Sequence, residues 1–409
     1  MLDFVVGFSA KLAVAGYFLN HRALQRIETG WTGYPFRQTT SPKRLRSRMA
    51  CCAAFAFEAL VIKIVLRLAS YLPQRLIHKS PRTLARKIWI VTANFSMQLR
   101  FFQILSRPGF EEFFKRFPSV AYKHTEPDDL ARSLTTAQRA SCHLHHYSFL
   151  RSHLCPASLR QLLNREVRVF EATDQGHTFA IDLAAALPGY YEGELRLNFL
   201  ADGIDIFILS FTFVPGSQVG STARDAILIS RIQGEKGAQS IIAMATRTLL
   251  GVHPQALLVS AIEGIAETLG IAEVVCVSAA NQPTDSTEMH ATFAQRYDEF
   301  FESWDASFSS PGFYTLPVSF PQKPLREIKL SHRPRTKKRR ALKRLVADQA
   351  ALALLPALLP SASPSPAEKN PLPKPASISN PEACLSNPPV SNPTTSHPPV
   401  SHPTVSHIG

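Results

Sequence analysis

The fold of this chain is decided by four largely apolar stretches: HTFAIDLA at residues 177–184, YEGELRLNFL at 191–200, IDIFILSFTFV at 204–214 and AILISRIQG at 226–234. They are rich in Ile, Val, Leu and Phe and in places alternate with the period of two that suits a strand. Turn-forming pairs separate them, namely Pro188-Gly189, Asp202-Gly203 and Pro215-Gly216. The pattern predicts successive antiparallel strands.

Helical spacing dominates on both sides of these strands. Apolar residues recur at intervals of three and four in residues 239–250 and 254–269, and Gly251 and Gly270 suit C-terminal caps. Further helices are predicted within residues 82–117 and at 293–304, and further strands at 273–278 and 313–318. We therefore predict an α+β fold, in which a helical N-terminal region precedes a mainly antiparallel sheet with flanking helices.

Charge and composition divide the chain of 409 residues, whose formal net charge is +14. Residues 1–125 hold 20 Lys and Arg against 5 Asp and Glu, whereas residues 126–331 hold 15 against 23. Beyond Pro356 the chain is rich in Pro, Ser and Asn, which do not bury enough apolar surface to offset the ordering entropy. We predict a basic helical region at 1–125, an α+β core domain with a basic C-terminal cluster at 126–345, and a mostly disordered tail at 346–409.

The apolar stretches are not typical of export or of membrane insertion. Asp3 stands where a secretory signal has its positive charges, and Lys11 interrupts the apolar run. Residues 49–72 contain Glu58 and Lys63, which are costly inside a bilayer. We expect a cytoplasmic protein, with attachment to the periphery of the inner membrane as the alternative.

Several pieces, taken in order, resemble the VirK/YbjX family of bacterial proteins. They are HHYSFL at 145–150, EGELRLNF at 192–199, ISRIQG at 229–234, ATRTLLGVHPQALLVSAIEGIAETLGI at 245–271 and RYDEFF at 296–301. The resemblance implies an association with virulence, envelope adaptation and resistance to cationic antimicrobial peptides. It implies no defined reaction and no catalytic residue.

The segment RIQGEKGA at residues 231–238 is similar to the R/Q-x-x-G-x-G/A loop of GNAT acyltransferases, with one extra residue between the glycines. The predicted order of strands and helices around it is also GNAT-like. Carried over, the resemblance implies that Arg231, Gly234 and Gly237 line the pyrophosphate site of an acyl-CoA cofactor and that Ala238 opens the next helix. The alternative is that the glycines serve only the turn between strand and helix.

The same resemblance implies a catalytic proton donor on the helix that follows the next strand. Tyr297 lies in this element and would protonate the leaving thiolate. The alternative is that Tyr297 belongs to an aromatic core stripe with Phe293, Phe300 and Trp304.

A basic cluster, RPRTKKRRALKR, occupies residues 333–344, and Lys337, Lys338, Arg339 and Arg340 at its centre are expected to bind an anionic surface. An anionic membrane surface, which the basic N-terminal helices would also contact, is one partner, and nucleic-acid phosphates are another. The alternative is that the cluster is the solvated end of a helix and binds neither partner. Sequence-specific DNA binding is not predicted, because no recognition motif accompanies the cluster.

The histidine-rich stretch CHLHHYSFLRSHLC at residues 142–155 is the natural place to look for a metal site. On one helix His146 and His153 share a face whereas His145 points elsewhere, so we predict no metal site. Glu192 and Glu194 alternate along one strand, and we expect them on a solvated sheet face.

Overall fold

One mixed sheet organises the parts of the chain that the structure describes. The structure is a computed structural model that describes residues 89–90, 93–127, 129–186, 192–282, 298–309 and 312–359. The strands are β1 (Val167–Asp174), β2 (His177–Ala185), β3 (Leu195–Ala201), β4 (Ile204–Pro215), β5 (Asp225–Gly234), β6 (Glu273–Val277), β7 (Ser307–Ser309) and β8 (Phe313–Pro317). They are ordered β1-β2-β3-β4-β5-β6-β8-β7.

Short turns set the antiparallel pairing of the first strands. Gln175 and Gly176 have φ of +50° and +81°, and Asp202 and Gly203 have φ of +51° and +79°. Positive φ at both central residues is the geometry of tight hairpin turns, which match the twist of the strands they join. Strands β1 to β5 are therefore consecutive neighbours in the sheet.

The pairing between β5 and β6 is parallel, which requires a crossover connection. The chain makes that crossover through two helices, α5 (Gln239–Thr248) and α6 (Pro254–Leu269). The helices of the described residues are α1 (Phe95–Leu105), α2 (Glu111–Arg116), α3 (Thr136–His153), α4 (Pro156–Asn164), α5 (Gln239–Thr248), α6 (Pro254–Leu269) and α7 (Arg333–Leu354), with a 3-10 helix at Pro118–Thr125.

The main core lies between the sheet and the helices. Helices α3, α6 and α7 pack with apolar side chains of the sheet, among them Phe211 and Phe213, which are buried. The aromatic rings of Phe101 and Phe110 contact Tyr147 of α3 at centroid distances of 5.8 and 5.7 Å. The helices before residue 126 therefore share one core with the residues after it.

The α+β fold with a mainly antiparallel sheet is confirmed, and the four stretches quoted first form β2 to β5. Strands β1 and β7 were not predicted. The basic helical region up to residue 88 and the tail from residue 360 lie outside the described residues.

The predicted start of the tail at residue 346 falls inside α7. Val346, Ala350 and Leu354 are buried, and they recur at intervals of four on one face of the helix. The prediction followed composition, whereas this spacing was the signal that the helix continues. Ordered structure therefore extends through residue 359.

Candidate functional site

Strands β5 and β6 are paired at one end and separate at the other. Ala226 to Ile229 pair with Glu273 to Cys276, but β5 continues to Gly234. On its other side β5 stays paired with β4 as far as Gly234. Residues 230–234 therefore have one edge that no described strand covers.

A β-bulge marks the point of separation. Arg231 lies opposite Ser210 and Ile229 opposite Phe211, so Ser230 is the extra residue. The amide of Gln282 donates a hydrogen bond to the backbone carbonyl of Ser230 at 3.3 Å. The Ser230 hydroxyl is buried and has no hydrogen-bond partner among the described residues. The Gln282 side chain thus contacts the β5 backbone at the point where pairing with β6 has ended.

The two predicted loop glycines, Gly234 and Gly237, lie at the end of β5 that has separated from β6, and their structural roles differ. A Cβ at Gly234 would lie 3.0 Å from Ile242 Cδ1 and 3.1 Å from Phe207 Cε2, so packing alone accounts for this glycine. Gly237 has φ of +86°, and a Cβ there would meet nothing within 4 Å. Its backbone conformation favours glycine, and the space beside it is open.

Ala238 is the N-cap of α5, as predicted for the residue that opens the helix. Its N–H donates to Glu235 O at 3.1 Å. The Arg231 guanidinium is engaged elsewhere, because its Nη1 lies 2.5 Å from Glu192 Oε2 and its Nε donates to Gln233 Oε1. Gly237 and Ala238 therefore lie at the start of α5, whereas the Arg231 guanidinium contacts the Glu192 carboxylate.

Tyr297, the predicted proton donor, lies outside the described residues. The next residue, Asp298, begins a described helical stretch and accepts a hydrogen bond from Ala279 N at 2.8 Å. Ala279 lies two residues after the end of β6. The described part of this helix is therefore attached beside the end of β6.

Comparison with known proteins identifies one family that matches this chain. A family model described as "Protein of unknown function (DUF535)" matches residues 78–351, about two thirds of the chain. The chain belongs to the DUF535 family. This is the family also known as VirK/YbjX, so the family resemblance is confirmed. No curated protein and no solved structure matches the chain.

A buried ionic network is the most extensive polar feature that the sequence did not reveal. It is defined by Lys123, Asp129, His143, Tyr147 and Glu194, all of which are buried and all of which lie within the DUF535 match. Lys123 Nζ lies 2.8 Å from Glu194 Oε1, and His143 Nδ1 lies 2.9 Å from the same oxygen. His143 Nε2 pairs with Asp129 Oδ2, and the Tyr147 hydroxyl donates to Glu194 Oε2.

The charges of this network balance, and they shift the pKa values of His143 and Glu194. Burial by itself lowers the pKa of His143, but Asp129 and Glu194 raise it to about 9. Burial by itself raises the pKa of Glu194, but Lys123 and His143 hold it well below its ordinary range. Two cations therefore face two carboxylates, as a charge removed from water requires.

The expectation that Glu194 lies on a solvated sheet face was wrong. Glu194 precedes β3, and its side chain contacts His143 and Tyr147 of α3. Its backbone N–H donates to Phe211 O of β4 at 3.2 Å. Period-two alternation identifies which residues share a face, but it does not show whether a helix covers that face. The available local signal was that His143 and Tyr147, four residues apart on one face of α3, offer polar partners to a carboxylate.

The four central residues of the basic cluster in this DUF535 protein differ in their contacts. Lys337 and Lys338 are exposed on α7. Arg339 Nε donates to Leu250 O at 2.9 Å, and the Arg340 guanidinium donates to the Lys323 carbonyl. The two lysines are therefore exposed, whereas the two arginines also bind backbone carbonyls of other segments.

The histidines of α3 have partners other than a metal ion. His146 Nδ1 accepts a hydrogen bond from Phe213 N, His145 pairs with Asp225, and His153 stacks on Phe149. Within the described ranges, no three His, Cys, Asp or Glu side chains are placed to hold a metal ion. Nor do those ranges contain a helix of the length and apolar character needed to cross a bilayer.

Proposed function

We propose that this DUF535 protein binds acyl-CoA where β5 separates from β6 and transfers the acyl group to a nucleophilic acceptor. The observation that carries the proposal is the edge of β5 at residues 230–234 that no described strand covers, which leads directly into the glycine loop and α5. We place this activity within the virulence, envelope adaptation and antimicrobial-peptide resistance that the family resemblance implies.

The uncovered strand edge suits the pantetheine arm of coenzyme A. This arm is an extended chain with two amide groups, and an extended amide chain pairs with a free sheet edge as an added strand does. The bulge at Ser230 turns the strand at the point where the arm would end. The thioester would then lie near the buried Ser230 hydroxyl.

The loop after β5 suits the pyrophosphate. Backbone N–H groups at the start of a helix are unpaired and favour an anion. The open space beside Gly237 leaves room for a phosphate next to the backbone. Arg231 would contribute only after leaving Glu192, so the loop backbone is the main binding element in this proposal.

In the reaction, an amine or hydroxyl of the acceptor attacks the thioester carbonyl, a new C–N or C–O bond forms and the C–S bond breaks. The proton of the acceptor ends on the coenzyme A sulfur. Tyr297 is the proposed donor to that sulfur and regains a proton from the acceptor, and its Phe variant should lose turnover while retaining acyl-CoA binding.

The test is calorimetric titration of the full chain with coenzyme A and acetyl-CoA. Gly237→Asp places a negative charge beside the proposed pyrophosphate, whereas Gly237→Asn is nearly isosteric and neutral, and both residues tolerate left-handed backbone better than most. We expect saturable binding that Asn retains and Asp abolishes. No binding by the natural chain, or equal binding by both variants, would refute the site.

We propose as a second candidate function attachment to an anionic membrane surface through α7. The observation that favours it is the exposure of Lys337 and Lys338, neither of which has an acidic partner among the described residues. Each such charge contributes about 1 kcal/mol near an anionic leaflet. Sedimentation with phosphatidylglycerol vesicles should show salt-sensitive binding that Lys337→Gln weakens, and equal binding to neutral vesicles would contradict it.

A further inference from the structure

A cleft between the end of α5 and the start of α7 is lined by cationic side chains. Its volume is about 720 Å³, and its charged lining consists of Arg247, Arg335, Lys338 and Arg339. Among the described residues, no acidic side chain lines it. The cleft is separate from the proposed acyl-CoA loop, because α5 runs from that loop to this cleft.

Two of the guanidinium groups converge on one backbone position. Gly251 has φ of +74°, and a Cβ built there would overlap the Nη2 atoms of both Arg335 and Arg339. Like charges brought this close repel each other. Burial and Arg335 together lower the pKa of Arg339. An anion between the two groups would remove this repulsion.

Helix capping explains one of these cations and leaves the others without a role. Arg339 donates to the Leu250 carbonyl just beyond α5, which is a common use of arginine at a helix C-terminus. Arg247, Arg335 and Lys338 have no hydrogen bond or ion pair in the part of the chain that the structure describes. Three unpaired cations therefore face a concave space beside a fourth.

We propose that this cleft binds the phosphate group of a small phosphorylated ligand, with Arg335 and Lys338 as its principal contacts and Arg339 at its floor. The planar fork of arginine matches the oxygens of a phosphate, and lysine adds a point charge. The group belongs either to a soluble phosphate ester or to a lipid headgroup, and this proposal is independent of acyl transfer.

The experiment compares two double variants with the same loss of charge in the full chain. Arg335→Gln with Lys338→Gln removes two cations from the cleft. Lys323→Gln with Lys329→Gln removes two exposed cations from the segment just before α7, outside the cleft lining. The probes are glycerol 3-phosphate by calorimetry and phosphatidic acid vesicles by sedimentation, both at physiological salt. Thermal unfolding of each variant verifies that it folds.

We expect the cleft variant to lose roughly tenfold or more in affinity for the phosphate, and the outer variant to bind like the natural chain. Binding of glycerol 3-phosphate supports a soluble ligand, and binding of phosphatidic acid vesicles alone supports a lipid headgroup. The proposal is overturned if neither probe binds, or if both double variants weaken binding equally, since the latter shows only general attraction to positive charge.

Discussion

The ammonium group of Lys123 lies 2.8 Å from the carboxylate of Glu194, and both side chains are buried. Lys123 belongs to the 3-10 helix before residue 126, and Glu194 immediately precedes β3. The pair therefore ties the N-terminal segment to the sheet. Because each charge depends on the other for the stabilisation that water would provide, loss of either one has consequences beyond a single contact.

Glu194→Gln should destabilise the protein strongly. The variant leaves the buried Lys123 ammonium and the protonated His143 facing Asp129 alone, and an unbalanced buried charge costs about 3–5 kcal/mol. Urea unfolding followed by circular dichroism measures the loss. Glu171→Gln is the matched control, because the Glu171 side chain is 55% exposed in its pair with Arg168 and such pairs contribute about 1 kcal/mol or less. Similar losses in both variants would contradict the role assigned to the network.

The buried histidines should give the protein a stability maximum near pH 6.5. Burial lowers the pKa of His124 and of His146 to about 3, so between pH 6.5 and 3 the unfolded chain binds more protons and stability falls with falling pH. The pKa of His143 is raised to about 9, so its stabilisation is complete below pH 6.5 and is lost as pH rises toward 9. Urea midpoints measured from pH 4 to pH 9 would trace both limbs.

His143→Gln separates the two limbs of this profile. It should remove much of the decline between pH 6.5 and 9, which amounts to about 3 kcal/mol for a shift of this size, and leave the decline below pH 6.5. His177→Gln, at the first residue of β2 where the side chain is 40% exposed, should change neither limb. An alkaline decline that is unchanged in the His143 variant would assign it to other groups.

The sheet could be predicted because its signal is local. Alternation within β2 to β5 and the turns between them lie in short stretches of sequence, so the strands and their antiparallel order follow from neighbouring residues. β1 was missed because VRVFEATD contains four polar residues and resembles a loop. The parallel pairing of β5 with β6 is set by the crossover helices, and only the structure fixes where it ends.

The candidate sites were less predictable because their residues are distant in sequence. Gly237 and Ala238 were found from one loop, but the pairing of Arg231 with Glu192 and of Lys123 with Glu194 joins segments about 40 and 70 residues apart. Likewise, the run of basic residues on α7 gave no indication that Arg335 and Arg339 meet at Gly251. Charge patterns identify the participants, whereas the helix packing selects the partners.

A chain that ends at Leu345 should be far less stable than one that ends at Pro364. The shorter chain lacks Val346, Ala350 and Leu354, whose buried side chains contribute about 3–6 kcal/mol together. The longer chain retains every described residue of α7 and of the 3-10 turn after it and should unfold at the same temperature as the full chain. Calorimetry of the three chains measures this, and equal unfolding temperatures would restore residue 345 as the end of the core.

Gly264→Ala should destabilise the protein although alanine is the better helix former. In α6, a Cβ at Gly264 would overlap the backbone of Ala347 in α7, so the two helices must move apart, at a cost of about 1–3 kcal/mol. Helix propensity alone would give a gain of about 1 kcal/mol, so the sign of the change decides between the two effects. Ala243→Gly at an exposed position of α5 calibrates the propensity effect. Adding Ala347→Gly should not rescue the variant, because the overlap is with backbone atoms, and a Gly264→Ala protein with a raised unfolding temperature would show that the helices do not cross this closely.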